Sequence, residues 1–103
     1  MAVEGGIDIT PQQREIILSL FDSHLPNTEV WVYGSRVKGS ARLSSDLDMV
    51  VFSSPEQSTD VFLLKEGLDE SDLPFRVDLF VWDEVPEQFR KNIEAEHCVL
   101  VGT

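Results

Sequence analysis

The stretch from Glu29 to Phe52 decides the fold: Glu29-Val-Trp-Val-Tyr33-Gly34-Ser35, ten residues, then Asp46-Leu47-Asp48-Met-Val-Val-Phe52. Glu29–Tyr33 is rich in β-branched and aromatic residues and reads as a strand, and Asp46–Phe52 reads as a second. The polar run Arg36–Leu43 between them has room for a short helix and a loop. Working outward, Phe75–Val81 (Phe-Arg-Val-Asp-Leu-Phe-Val) gives a third strand. A helix starts upstream at Thr10-Pro11-Gln12-Gln13, with Thr10 as N-cap, Pro11 in the first turn and Gln13 closing a capping box. Ile16, Ile17, Leu20 and Phe21 supply its apolar face, and Pro26-Asn27 ends it. Thr59–Leu68 carries Val61, Leu64 and Leu68 at helical spacing, with Gly67 a weak point. A last helix opens at Asp83 or Pro86, where Val85, Phe89 and Ile93 fall four apart. The apolar Cys98–Val101 packs back on the sheet or against a partner. The order helix, strand, short helix, strand, helix, strand, helix predicts an α/β sheet of three strands covered by helices.

The 103 residues, 42% hydrophobic, suffice for one core and not two, so residues 1–103 are expected to form a single domain. No apolar run is long enough to span a membrane. Met1–Ile9 lacks the basic and apolar regions of a signal peptide. Cys98 is the only cysteine, which rules out an internal disulfide or a cysteine-built zinc site. These features lead to the expectation of a cytoplasmic protein. Nineteen Asp plus Glu against eight Lys plus Arg give a net charge of -11. Grip on a nucleic-acid backbone needs basic surface, so a polymer is a poor main partner. A basic protein or a metal-bound nucleotide suits the charge better.

Asp46 and Asp48 stand two apart on a strand and share a face, while Leu47, Met49 and Val51 point to the core. Two such carboxylates repel unless a cation lies between them or one is protonated. Mg²⁺ prefers such hard oxygen donors together with substrate phosphates. Asp78 repeats the pattern on the third strand and lies beside the pair if the two strands are neighbours. Three carboxylates of this kind can hold two metal ions for in-line phosphoryl displacement. Gly34-Ser35 lets backbone approach a ligand closely, and a helix starting there offers free N–H groups to phosphate. Arg36 either contacts phosphate or balances the aspartates. Arg76 reads as a charge-balancing residue, and Lys38 and Arg42 as loop cations. His24 and His97 read as surface residues, Trp31 and Trp82 as packing, and Cys98 as a small buried side chain. The plain alternatives are a solvated strand start for Asp46 and Asp48, an edge-strand charge for Asp78, and a simple turn for Gly34-Ser35.

Gly34-Ser35, ten residues, then Asp46-Leu47-Asp48 resembles the signature of the nucleotidyltransferase superfamily that includes DNA polymerase beta. The fuller run Gly34-Ser-Arg-Val-Lys-Gly-Ser40 through Ser45-Asp46-Leu47-Asp48 resembles its minimal branch, the MNT domains. The likeness extends from about Glu29 to Leu100 and takes in Arg76-Val-Asp78-Leu79 and Pro86-Glu-Gln-Phe-Arg through Glu96. It implies a three-stranded mixed sheet with about four flanking helices. It also implies that Gly34 and Ser35 bind the nucleotide phosphates, with Arg36 beside them a candidate for the same nucleotide on its charge, and that Asp46, Asp48 and Asp78 are catalytic and hold Mg²⁺, two ions in all. Asp78 would further assist the attacking hydroxyl. The implied reaction transfers AMP from ATP to a hydroxyl, a tyrosine's in the first instance, of a HEPN ribonuclease toxin, with the chain as antitoxin in a hetero-oligomer. Two other readings stand beside it: an antitoxin that silences a HEPN toxin by contact alone, and a nucleotidyltransferase for a small-molecule acceptor, for which a homo-oligomer would have to build the pocket. The chain departs from the family at His97, where many relatives carry glycine, and at Val101, where they end in an aromatic.

Overall fold

The computed structural model describes residues 6–102, so the N-terminal reading at residues 1–5 lies outside it. Helix α1 (Pro11–His24) begins at the expected cap. The Gln13 N–H donates to Thr10 Oγ1 at 3.1 Å, and the Thr10 N–H donates to Gln13 Oε1 at 2.9 Å. The chain turns out of α1 through Asn27, whose φ of 56° an asparagine tolerates. It then enters strand β1 (Val30–Tyr33), the short helix α2 (Ser35–Lys38) and strand β2 (Leu47–Val51). A 3-10 turn leads into helix α3 (Ser58–Glu70), which crosses over to strand β3 (Val77–Val81).

The sheet has four strands in the order β3-β2-β1-β4, not three. The fourth, β4 (Cys98–Val101), pairs antiparallel with β1. Of the two fates open to the apolar tail, pairing with the sheet is the one observed, because β1 would otherwise expose a row of unpaired backbone groups. Strands β1 and β2 are antiparallel and β2 and β3 are parallel, so the sheet is mixed.

Alternation along the strands sorts the two faces. Val30, Val32, Leu47, Met49, Val51 and Leu79 turn to one side, where Ile17 and Phe21 of α1 and Val61, Leu64 and Leu68 of α3 close the core. Helices α1 and α3 pack together at Gly67, where an added Cβ would stand 3.0 Å from Leu20 Cδ2. The residue read as a weak point is thus a contact point. The opposite face carries Tyr33, Asp48, Asp78 and Phe80. Helix α4 (Glu87–Ala95) borders it, following a 3-10 turn (Trp82–Glu84) and Pro86. The α-helix therefore opens at Pro86, and Asp83 lies in the tighter turn before it. Among the described residues no helix is long and apolar enough to cross a membrane.

Candidate active site

Strands β2 and β3 run parallel in a register that sets Asp48 directly beside Asp78, and Leu47 beside Val77. The side-by-side placement anticipated for the third aspartate is thus what the sheet provides. Asp46 lies one residue before β2. Arg76, one residue before β3, donates from Nη2 to Asp46 Oδ2 at 3.1 Å, and its Nε stands 3.2 Å from Asp78 Oδ1. Its guanidinium thus bridges two of the three carboxylates from an exposed position. The two acidic partners push the Arg76 pKa upward.

Asp48 receives no such partner. Burial first, then the charges of Asp78 and Asp46, raise its carboxyl above the usual aspartate range, and the more distant Arg76 only partly offsets this. Tyr33, opposite Asp48 in β1, is pushed up to about 12 by burial and then by Asp48 and Asp78. Its hydroxyl stays protonated at neutral pH. Excess negative potential centred on Asp48 is what a bound divalent cation would relieve.

Gly34 links β1 to α2 with φ 84° and ψ -156°. A Cβ there would sit 2.5 Å from Asp48 Oδ2. Glycine is therefore required twice, by the backbone angle and by the closeness of the carboxylate. The Val37 and Lys38 N–H groups donate to Gly34 O at 3.1 and 3.2 Å. The N–H groups of Ser35 and Arg36, at the very start of α2, precede its first helical hydrogen bonds, where a helix leaves backbone donors without an intrahelical partner. Ser35, the first residue of α2, is half-buried.

Arg36 does not stand where its reading as a nucleotide contact would put it. Its side chain is buried, and its guanidinium lies 4.0 Å over the Phe75 ring. Nε and Nη2 donate to Ser45 O at 3.0 and 2.8 Å, Nη1 donates to Asp8 O at 2.7 Å, and Nη2 also reaches the Arg42 and Leu43 carbonyls. The Asp8 N–H returns a bond to Arg36 O at 2.7 Å. Arg36 therefore ties the loop between α2 and β2 into place, just ahead of Asp46. Its donors are committed to carbonyls because that loop has no ladder of its own to satisfy them.

A cleft of about 520 Å³ opens along this face. Gly34, Lys38 and Asp48 form one end, and Phe80, Pro86 and Phe89 form an apolar wall. Val85, Phe89 and Ile93, spaced four apart in the sequence, all line this cleft. Only Ile93 is buried, whereas Phe89 stands open to the cleft. The missed lining residues carried weak signals: Tyr33 directly precedes Gly34, and Phe80 lies two residues after Asp78 on the same face. His97 is not a free surface residue. Its ring stacks on Trp31 at 3.8 Å between centroids, within a cluster that includes Phe52 and Trp82.

Among the described residues no group of three or more acidic, histidine or cysteine side chains is arranged to hold a metal ion by itself. Mg²⁺ does not need one, since one or two carboxylates plus substrate phosphates suffice. Asp48 and Asp78 in register, with Asp46 near by, fit an ion that arrives with a nucleotide.

Residues 15–103 match the family model described as polymerase beta, nucleotidyltransferase. The chain is 39% identical over 97 residues to the probable protein adenylyltransferase MntA of Haemophilus influenzae, covering 91% of this chain and 83% of that one. Its fold is similar to that in a toxin–antitoxin crystal structure with AMP-PNP, with a TM-score of 0.72, 22% identity, and 87% and 73% of the two chains covered. It is also similar to that in the MntA–HepT toxin–antitoxin structure, with a TM-score of 0.59, 17% identity, and 91% and 74% covered. With a motif and a sheet register that meet at the same aspartates, and a family model matched over residues 15–103, the chain belongs to the polymerase beta nucleotidyltransferase family.

Proposed function

We propose that this chain is a Mg²⁺-dependent protein adenylyltransferase that transfers AMP from ATP to a tyrosine hydroxyl of a HEPN ribonuclease toxin, and so acts as its antitoxin in the cytoplasm. The observation that carries the proposal is the register of Asp48 beside Asp78, with Gly34 drawn up against Asp48 at the head of one cleft. The 39% identity to a probable protein adenylyltransferase supports the acceptor class. The likeness in fold to toxin–antitoxin complexes agrees with the partner.

In this reading the N–H groups of Ser35 and Arg36 and the Ser35 hydroxyl hold phosphate oxygens, with Gly34 giving them access. Arg36 itself serves from behind by fixing the loop that delivers Asp46. Asp46, Asp48 and Asp78 would hold the Mg²⁺, two ions in this reading, together with the phosphates of the nucleotide. When bound, those ions neutralise the triphosphate and polarise the α-phosphorus. The acceptor oxygen bonds to the α-phosphorus, the bond to the bridging oxygen breaks, and pyrophosphate leaves with that electron pair. The Asp78 carboxylate takes the hydroxyl proton. Positioning and charge neutralisation supply the acceleration. The protein's net charge of -11 suits a basic toxin surface.

Co-expression of the toxin with wild-type chain or with Asp46→Ala/Asp48→Ala separates catalysis from contact. Growth should be rescued by the wild type alone. Rescue by the double variant would move the chain to the contact-antitoxin reading.

A further inference from the structure

Helix α4 lines the cleft with Phe89, Asn92 and Ile93, yet of its nine residues only Ile93 is buried. A helix this short does not hold its own shape in water and depends on what ties it down. Arg90 lies over the Trp82 ring at 5.3 Å, which ties the middle of α4 to the turn after β3. The C-terminal end has no left-handed cap, since Glu96 is extended with φ -149°. His97 takes over there. Its Nδ1 donates to Ile93 O at 3.0 Å, which requires the tautomer with a proton on that nitrogen. The same ring stacks on Trp31, 3.8 Å between centroids and 15° between planes. Trp31 is itself fixed: its Nε1 donates to Glu29 Oε2 at 2.8 Å, and Phe52 and Trp82 pack edge-on at 4.6 and 5.5 Å. It stands two residues before Tyr33 on the same face of β1, so this anchor adjoins the cleft.

We propose that His97 is a positioning residue: by joining the end of α4 to Trp31 it sets how closely that helix stands over the active face, and so how tightly the cleft closes on its Mg-nucleotide. The inference rests on the nucleotidyltransferase reading and adds to it the device that fixes one wall of the site. His97 is not among the residues that line the cleft, so its effect passes through α4. One ring makes both ends of the tie. Its loss leaves the Ile93 carbonyl without that partner and uncovers Trp31 together. Phenylalanine at this position keeps the stack and gives up only the carbonyl bond, which makes it the conservative replacement.

Amide exchange of the ligand-free chain, read residue by residue, and steady-state transfer from Mg-ATP to the toxin test this together. His97→Ala should speed exchange in α4 by roughly tenfold, as loss of one aromatic pair does, with α1 and α3 unchanged. The same variant should raise KM for Mg-ATP severalfold while kcat stays within about twofold of wild type, and His97→Phe should bring both readouts back toward wild type. Unchanged exchange in α4 would overturn the tie. Faster exchange in all helices alike, with kcat lowered and KM unchanged, would make His97 a stability residue and overturn the positioning role. A loosened α4 with unchanged KM would overturn the link to the cleft. A wild type that neither binds Mg-ATP nor transfers from it would overturn the nucleotidyltransferase reading, and the nucleotide part of this inference with it; the exchange measurement needs no substrate and still decides the tie.

Discussion

At Gly34 two constraints meet, a φ of 84° and a carboxylate 2.5 Å from where a Cβ would stand. Gly34→Ala should therefore push Asp48 aside and lower AMP transfer by about 10²-fold or more, as loss of one preorganised electrostatic group does. Thermal melting of the same variant should still show a folded protein. Asp48 itself carries an electrostatic load. Its pKa is raised in the folded state, so the fold binds that proton more tightly than the unfolded chain. Stability from this residue is then highest in acid and falls as pH rises from the ordinary aspartate value through the raised one. Asp48→Asn should accordingly melt higher than wild type at pH 7 without metal, and the two curves should converge below about pH 4. A melting series across pH checks the sign. Arg76 relieves Asp46 and Asp78 but competes with any metal for them. Arg76→Gln should lower the melting temperature of the metal-free protein and tighten Mn²⁺ binding, read by titration.

Among the elements, α1 was the most legible, because its start is written locally in Thr10, Pro11 and Gln13. Thr10→Ala should cost about 1 kcal/mol in urea unfolding, with Thr10→Ser close to wild type. The first three strands were legible for the same reason, since two-residue alternation fixes both strand and face. The fourth strand was not, because an apolar run such as Cys98–Val101 becomes a strand only through its neighbour β1, which local sequence does not name. The spacing at the last helix was informative only in part. Spacing shows that Val85, Phe89 and Ile93 share a side, but not that this side borders a cleft. Arg36 and His97 were misplaced for a related reason: their partners, the Asp8 and Ser45 carbonyls and the Trp31 ring, come from other elements. The aspartates were legible because β2 and β3 each carry their acids on one alternating face, and parallel pairing then sets Asp48 against Asp78.

For the molecule as a whole, one sheet divides the labour. One face is sealed by α1 and α3, and the other holds the aspartates, the cleft and an aromatic cluster at its far end. Helix α4 borders the active face at the cleft, and in the proposed function the acceptor hydroxyl comes to that face from a partner protein. In that proposed role the excess of acidic side chains suits a basic partner surface, and their association should weaken as salt is raised. The central claim is that this face moves AMP onto that partner through its three aspartates. The most direct measurement is intact-mass analysis of both chains after incubation of the purified protein with ATP, Mg²⁺ and the HEPN toxin. One or more AMP increments on the toxin, absent with Asp46→Ala/Asp48→Ala, is the predicted result; a toxin that is bound and silenced with its mass unchanged would contradict it.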